Sequence, residues 1–208
     1  MSTKLIDFES DYWSRDQLVL GIDEAGYGCL AGSMFIAGVI YPKNFIPPTS
    51  LQKINDSKKL SEKTRFLLRN EILKYAMFSF VIEVSVDKIN NENPYWLRYT
   101  ETSSYLDQIV VPPQTVVIYD GDRALANLNL QSESLIKGDS KSFSIASASI
   151  LAKTSKDAEM AALDKSYPMY NFISNKGYGT AAHSQALKKH GLSPVHRPKY
   201  CSNILATK

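Results

Sequence analysis

The chain has 208 residues, of which 44% are apolar and 22% are charged, and its formal net charge is +3. This length can bury a full hydrophobic core, and the mildly basic charge balance does not by itself indicate nucleic-acid binding. The longest apolar run, 34–41, is far too short to span a membrane, and the charges near the N-terminus exclude the apolar region of a signal peptide.

The first structural signal is an apolar run that leads directly into two carboxylates. Residues 1–17 form a lead-in without a predicted structure, and Leu18–Asp23 is the first predicted strand. Asp23 and Glu24 are followed by three glycines within eight residues, and Ser33–Tyr41 is the second predicted strand. A turn with both carboxylates in solvent is the ordinary interpretation. Acids at the edge of an apolar core, however, need a positive partner.

The rest of the chain alternates between strand and helix patterns. The further predictions are a helix from the cap Ser61 to Ala76, a strand Phe78–Val86, an Asn-rich turn Asp87–Asn93, a helix Tyr95–Ile109, a central strand Thr115–Tyr119, a short strand Ser134–Lys137, a helix Lys141–Ser166, a helix Ala181–His190 and an extended tail 193–200. This order predicts an α/β fold, a mixed sheet with helices on both sides.

Two more acids are candidate site residues beside the acidic pair. Asp120 ends the predicted central strand, and functional groups in an α/β sheet collect at strand ends. Asp157 lies in the long helix, four residues after Lys153. Four converging carboxylates without His or Cys would select Mg²⁺ or Mn²⁺. The alternatives are an ordinary Asp-Gly turn at Asp120 and a solvated helix pair at Asp157.

Five sequence motifs resemble one family in order. The segments, from about Leu18 to Tyr200, are DEAGYGCLAG, NDSKKLSEKTR, IYDGD, KGDSKSFSIASASILAKTSKDAEM and KGYGTAAH with LSPVHR. Together they resemble a type 2 ribonuclease H, the bacterial ribonuclease HII. The match covers nearly the whole chain.

The resemblance implies an RNase H-like fold with a five-stranded mixed sheet flanked by helices on both faces. It implies one catalytic domain over 1–208, with a lead-in 1–17, a core 18–200 and a short tail 201–208. It also implies endonucleolytic hydrolysis of the RNA strand of RNA–DNA hybrids, leaving 5′-phosphate and 3′-hydroxyl ends, in DNA replication and repair. The catalytic and metal-binding residues, for Mg²⁺ or Mn²⁺ in a two-metal-ion mechanism, would be Asp23, Glu24, Asp120 and Asp157.

The resemblance further assigns the substrate contacts. In the family, a Gly-Arg-Gly segment reads the ribose and a Tyr stacks on the next deoxyribose. This chain has Gly26, Tyr27 and Gly28 in the first segment, and Tyr178 matches the second. The missing Arg removes a fixed charge beside the phosphate. Whether the chain cleaves at single embedded ribonucleotides is therefore an open question. The other expected contacts are Lys58, Lys137 and Ser140.

Smaller departures from the family are Cys29 in place of Pro and Asp122 near a usual Asn. His183 lies in a family-like position, where a role on the helix surface or in packing stands beside a role in the chemistry. His196 and Arg197 are expected in packing or at a backbone phosphate. The two cysteines lack metal-type spacing, so free thiols in a reducing cytoplasm are the simpler interpretation.

Two alternatives to a hybrid-cleaving enzyme stay open. Tyr27 allows a nuclease of the same fold with altered substrate choice. A hybrid-binding protein that has lost turnover is disfavoured, because all four acids are present. Because no partner-binding extension follows the last motif, we expect a monomer whose partner is an RNA–DNA hybrid or ribonucleotide-containing duplex DNA.

Overall fold

The computed structural model describes residues 5–54, 60–126 and 128–206. Within them, one mixed sheet is built from β1 (Leu18–Ala25), β2 (Met34–Ile40), β3 (Phe78–Val84), β4 (Thr115–Asp120) and β5 (Gln131–Leu135). The strand order is β3-β2-β1-β4-β5. β1 is antiparallel to β2 and parallel to β4, and β5 is parallel to β4. The predicted five-stranded mixed sheet is therefore confirmed.

The helices follow the predicted order and add several short ones. They are α1 (Ile6–Trp13), α2 (Glu62–Tyr75), α3 (Val86–Asn91), α4 (Pro94–Leu106), α5 (Phe143–Ser166), α6 (Phe172–Asn175), α7 (Ala181–His190) and α8 (Pro198–Ala206). In the described part of the chain, none of them has the length and apolar character needed to cross a bilayer.

Helices cover both faces of the sheet. On one face, α5 packs against β1 and β2, and its first half is buried almost completely. Gly21 makes this close approach possible, because a Cβ at that position would lie only 2.4 Å from the backbone nitrogen of Ile145. On the other face, Leu97 and Tyr99 of α4 pack against the apolar side chains of β1 to β4. β4 is buried along nearly its whole length, as predicted for a central strand.

Two segments that were predicted without a helix contain one. The segment predicted as the turn Asp87–Asn93 contains α3, because the Ser85 hydroxyl accepts a hydrogen bond from the Lys88 N–H and caps the helix. The tail predicted as extended contains the start of α8, whose proline stands at the first position, where a helix needs no N–H donor.

Two other boundaries differ from the predictions. The fifth strand is Gln131–Leu135 rather than Ser134–Lys137, because pairing with β4 fixes it in parallel register. The lead-in, for which the sequence predicts no structure, contains α1, which packs against β1 and α5. The cysteines Cys29 and Cys201 are free thiols, as predicted, and both are buried.

Candidate active site

Three of the predicted acids meet at one edge of the sheet. β1 and β4 run parallel, and Ile22 pairs with Tyr119 in their register. The next residues, Asp23 and Asp120, therefore stand side by side where the pairing between the two strands ends. Glu24 follows on β1. The topology alone thus brings together carboxylates that are almost a hundred residues apart in sequence.

Asp23 is a buried carboxyl group in an unfavourable electrostatic environment. Burial, above all, raises its pKa well above the ordinary value, and the charges of Glu24 and Asp120 raise it further. Hydrogen bonds from Ser149 and from the Glu24 N–H, the latter 2.7 Å from Asp23 Oδ1, oppose the shift. The three carboxylates therefore lie close enough to repel one another when they are ionised.

Glu24 carries the positive partner that a buried acid requires. Arg98 Nη1 on α4 donates to Glu24 Oε1 over 2.9 Å, and the Tyr119 hydroxyl donates to Oε2 over 3.1 Å. Burial is the largest influence on the pKa of Glu24 and raises it, while Arg98 acts in the opposite direction. Arg98 also reaches Asp122 Oδ1 over 3.5 Å.

Asp120 is held by the segment that contains two of the predicted substrate contacts. The Gly138 N–H donates to Asp120 Oδ1 over 2.8 Å. Lys137 and Ser140 flank this glycine in a tight turn, and the Ser140 hydroxyl donates to the Lys137 carbonyl over 2.8 Å. Both side chains are exposed. The turn therefore places an exposed cation and an exposed hydroxyl beside the acidic centre.

Asp157 has different contacts from the other three acids. It is 1% exposed on α5, and its two oxygens accept from Arg65 Nη2 at 3.2 Å and Lys153 Nζ at 2.7 Å. The helix pair with Lys153 that the spacing suggests is thus real, but it is buried rather than solvated.

The four acids offer only oxygen donors, which suits a hard divalent cation. In the described ranges, however, no three His, Cys, Asp or Glu side chains are already arranged to hold a metal ion. Arg98 neutralises Glu24, while Arg65 and Lys153 neutralise Asp157. A cation bound here would compete with these ion pairs and would relieve the repulsion around Asp23.

The loop after the acidic pair is held from inside the protein. Arg197 is fully buried and donates to the carbonyl oxygens of Gly26 and Tyr27, each over 2.8 Å. Gly26 has φ +92°, and a Cβ there would lie 2.9 Å from the Ser33 carbonyl oxygen. Gly28 has open space where a Cβ would stand. The loop is therefore rigid at its first glycine and accessible at its second.

Tyr178 lies beside the same loop. The Leu30 N–H donates to the Gly177 carbonyl over 2.8 Å and joins the two segments. The Tyr178 ring is 40% exposed, and Lys156 Nζ lies 4.6 Å from its centroid. Burial raises the pKa of Tyr178 further above neutral pH, where an ordinary tyrosine is already protonated. The structure thus brings an exposed aromatic ring next to the glycine loop.

Several other residues singled out in the sequence have packing roles. His183 and His196 are buried, and their Nε2 atoms lie 3.1 Å apart. Burial and then the charge of His183 lower the pKa of His196 to about 4. Arg197 is too deeply buried to touch a backbone phosphate, so of its two expected roles the packing role applies. Lys58 lies outside the described residues.

Sequence reasoning missed the two arginines that neutralise the acids. Arg65 is the last residue of the motif NDSKKLSEKTR, so a signal for its importance was present. Arg98 belongs to none of the motifs, and its place beside Glu24 depends on how α4 docks on the sheet. No local sequence pattern predicts such a contact.

Comparisons with known proteins agree on one family. The model of the family described as ribonuclease HII matches residues 20–203. A ribonuclease HII from Chloroherpeton thalassium is 39% identical over 203 residues, which are 98% of this chain and 99% of that protein. The ribonuclease H2 of Pyrococcus horikoshii has a similar structure, with a TM-score of 0.73 and 22% identity, over 91% of this chain and 97% of that one.

A more distant structure has the same fold. It is Bst-RNase HIII solved in complex with Mn²⁺, with a TM-score of 0.62 and 17% identity, over 92% of this chain and 71% of that one. Both structures are less than 25% identical to this chain, so the likeness to them concerns the fold alone. The family model and the curated relative, by contrast, cover nearly the whole sequence, and on their evidence the chain belongs to the ribonuclease HII family and is a ribonuclease H.

Proposed function

We propose that this protein is a metal-dependent endonuclease that hydrolyses the RNA strand of RNA–DNA hybrids and leaves 5′-phosphate and 3′-hydroxyl ends. The observation that carries the proposal is that the parallel register of β1 and β4 places Asp23, Glu24 and Asp120 together at one sheet edge. Holding the buried Asp23 beside two further acids costs stability unless positive charge lies near them. Family membership supplies the reaction that such a site performs.

Asp23, Glu24, Asp120 and Asp157 are the proposed catalytic and metal-binding residues. Mg²⁺ or Mn²⁺ fits their oxygen donors, and Bst-RNase HIII is a protein of the same fold that binds Mn²⁺. When bound, the ion supplies a Lewis acid for the phosphate and a more acidic water. The chain's own part is to position these carboxylates and to shield them from bulk water, and the charge of a bound ion would favour their ionised forms.

The glycine loop and its neighbours are the proposed reader of the ribose. Open space at Gly28 gives the nucleotide backbone access to the chain, and Gly26 fixes the start of the loop. Tyr27 and Tyr178 offer exposed rings that can stack on a sugar or base. A reader of the 2′-hydroxyl needs such close approach, because that group alone separates RNA from DNA.

The basic and polar groups around the site are the proposed contacts to the duplex backbone. Lys137 and Ser140 are exposed beside Asp120, where they can reach a phosphate. Lys58 is proposed from its motif alone. We further propose that the chain works in the cytoplasm as a monomer with one catalytic domain.

Cleavage assays test the proposal directly. The protein is incubated with a uniform RNA–DNA hybrid and with a DNA duplex that carries one ribonucleotide, each with Mg²⁺, with Mn²⁺ or with EDTA. We expect hybrid cleavage with a divalent ion and none with EDTA. Asp23→Asn and Asp120→Asn should abolish cleavage and leave the circular-dichroism spectrum unchanged. Full activity in either variant would contradict the site.

The same assay separates the substrate choices that Tyr27 leaves open. The Tyr27 side chain is 38% exposed and stands where the family has an Arg. Cleavage of the hybrid alone would mean that this loop has narrowed the range of substrates that the enzyme cleaves. Efficient cutting at the lone ribonucleotide would mean that the Arg is dispensable here. Cleavage of neither substrate would favour a binding protein.

A further inference from the structure

Arg98 is the cation that stands nearest to the acidic pair on the α4 side of the site. Its guanidinium pairs with Glu24 at 2.9 Å, reaches Asp122 at 3.5 Å and donates to the Tyr99 hydroxyl at 2.8 Å. It therefore touches both the buried acid and the rim of the site, where the Asp122 side chain is 64% exposed.

Aromatic rings fix the position of this guanidinium. Its carbon lies 4.7 Å from the ring centroid of Tyr99, 4.9 Å from Tyr95 and 5.5 Å from Tyr27. Such cation–π contacts hold a flexible side chain in one place before any ligand arrives. Tyr27 belongs to the glycine loop proposed as the ribose reader, so Arg98 links that loop to the acidic pair.

Arg98 has the chemistry to bind a backbone phosphate. A planar guanidinium presents several N–H donors at once, which matches phosphate geometry. Its Nε is buried and makes no hydrogen bond within the described residues. The bonds to Glu24, Tyr99 and Asp122 run through Nη1 and Nη2, which are the atoms that a phosphate would share. A phosphate that approaches Asp23, Glu24 and Asp120 is repelled by their charges. A fixed cation at the rim counters this repulsion.

We propose that Arg98 contacts a substrate phosphate beside Tyr27 and supplies, from α4, the fixed charge that the Gly-Tyr-Gly loop lacks. This inference rests on the proposed function, since it assumes that a nucleic acid binds at this edge of the sheet. The competing explanation is a purely structural one, in which Arg98 only neutralises Glu24.

The salt dependence of binding distinguishes the two explanations. Affinity for an RNA–DNA hybrid is measured by fluorescence anisotropy in EDTA over a range of NaCl concentrations. Losing one phosphate contact lowers the slope of log affinity against log salt by about one. We expect Arg98→Gln to show this lower slope and an affinity about five- to tenfold weaker at low salt. A purely structural role would lower the melting temperature and leave the slope unchanged.

A matched control is available at the other end of β1. Arg15 also stacks on a tyrosine, 4.7 Å from the Tyr12 centroid, but it precedes the strand that ends at the acids. Arg15→Gln should show the wild-type slope of log affinity against log salt concentration. An equal loss in both variants would overturn the proposal, and so would a wild-type slope in Arg98→Gln.

A second variant keeps the proposal testable if Arg98→Gln does not fold. Arg98→Lys retains the charge but not the planar fork, so we expect an unchanged slope with an affinity about two- to threefold weaker. Unchanged affinity in Arg98→Lys would overturn the inference, as would wild-type protein that shows no salt-dependent binding in EDTA. The proposed function fails on a different result, the absence of metal-dependent cleavage by wild-type protein.

Discussion

Arg197 Nη1 donates a hydrogen bond of 2.8 Å to the carbonyl oxygen of Gly26, in the loop that follows the acidic pair. The same side chain also binds the Gly32 carbonyl through Nε and Nη2, at 2.9 and 2.7 Å. One buried guanidinium thus ties both ends of the glycine loop to the start of α8. The position of the proposed ribose reader depends on a residue more than a hundred and sixty positions away.

Replacing this guanidinium should destabilise the protein and loosen the loop. Arg197→Met removes the guanidinium bonds to the carbonyl oxygens of Gly26, Tyr27 and Gly32, and leaves Gly26 with only the 3.3 Å bond from the Cys29 N–H. Since unsatisfied buried acceptors are costly, we expect the unfolding free energy to fall by about 3 kcal/mol. Urea unfolding measures this change. Hybrid cleavage should fall at least about tenfold, because the loop is misplaced.

The exposed Arg15 serves as the control for that loss. Arg15→Met should change the unfolding free energy by less than about 0.5 kcal/mol. An Arg197→Met protein as stable as the Arg15→Met protein would show that the buried network contributes little.

The two glycines of the loop should respond differently to alanine. At Gly26 the backbone has φ +92° and a Cβ would press on the Ser33 carbonyl oxygen. Gly26→Ala should therefore lower the unfolding free energy by about 1–3 kcal/mol. At Gly28 a Cβ meets no atom within 4 Å, so Gly28→Ala should fold normally.

Gly28→Ala should nevertheless impair the enzyme. Its methyl group would stand in the space proposed for the nucleotide, so we expect a higher KM for the hybrid with little change in the melting temperature. Steady-state cleavage and thermal unfolding of both alanine variants check this pair of expectations. Wild-type kinetics in Gly28→Ala would place the nucleotide elsewhere.

The acidic centre should make stability depend on pH when no divalent ion is present. Burial and neighbouring charges raise the folded-state pKa of Asp23, whereas the unfolded chain keeps the ordinary pKa. The stabilising contribution of this group is therefore present at low pH and is lost as the pH rises through the folded pKa. Asp23→Asn removes that loss and should raise the unfolding free energy near neutral pH by about 1–3 kcal/mol.

Chemical unfolding in EDTA across the pH range measures the effect. The difference between Asp23→Asn and wild type should shrink toward about pH 4. The exposed Asp11 offers the comparison, since Asp11→Asn should follow the wild-type curve at every pH. An Asp23→Asn protein that is less stable than wild type at neutral pH would contradict the proposed repulsion.

A buried carboxylate should also anchor the long helix. Glu9 Oε1 accepts from the Ser142 hydroxyl at 2.6 Å and from the Ser144 N–H at 2.9 Å, at the N-terminus of α5. Glu9→Ala leaves these donors unpaired, so we expect the unfolding free energy to fall by about 2–3 kcal/mol. Glu9→Gln keeps an acceptor oxygen and should lose about 1 kcal/mol. Equal losses of stability in the two variants, measured by thermal unfolding, would rule out the hydrogen bonds as the cause.

Much of the fold was predictable because its signals are local. Ser61 caps α2 through the Thr64 N–H, and Gly191 ends α7, as their sequence positions indicate. The central strand was recognisable from its unbroken β-branched run. The short helix after Ser85 was missed, because its asparagines are also typical of turns. The helix from Pro198 was missed as well, since it begins inside a stretch read as extended.

The sequence by itself determined the family, the order of the main strands and helices, and the four acids that the motifs contain. Only the tertiary structure decided which charges meet those acids and how the glycine loop is held. Arg98 and Arg197 are ordinary basic residues in the linear chain. Their roles arise because sheet register and helix docking bring together atoms that are distant in sequence, and local side-chain preferences carry no information about such contacts.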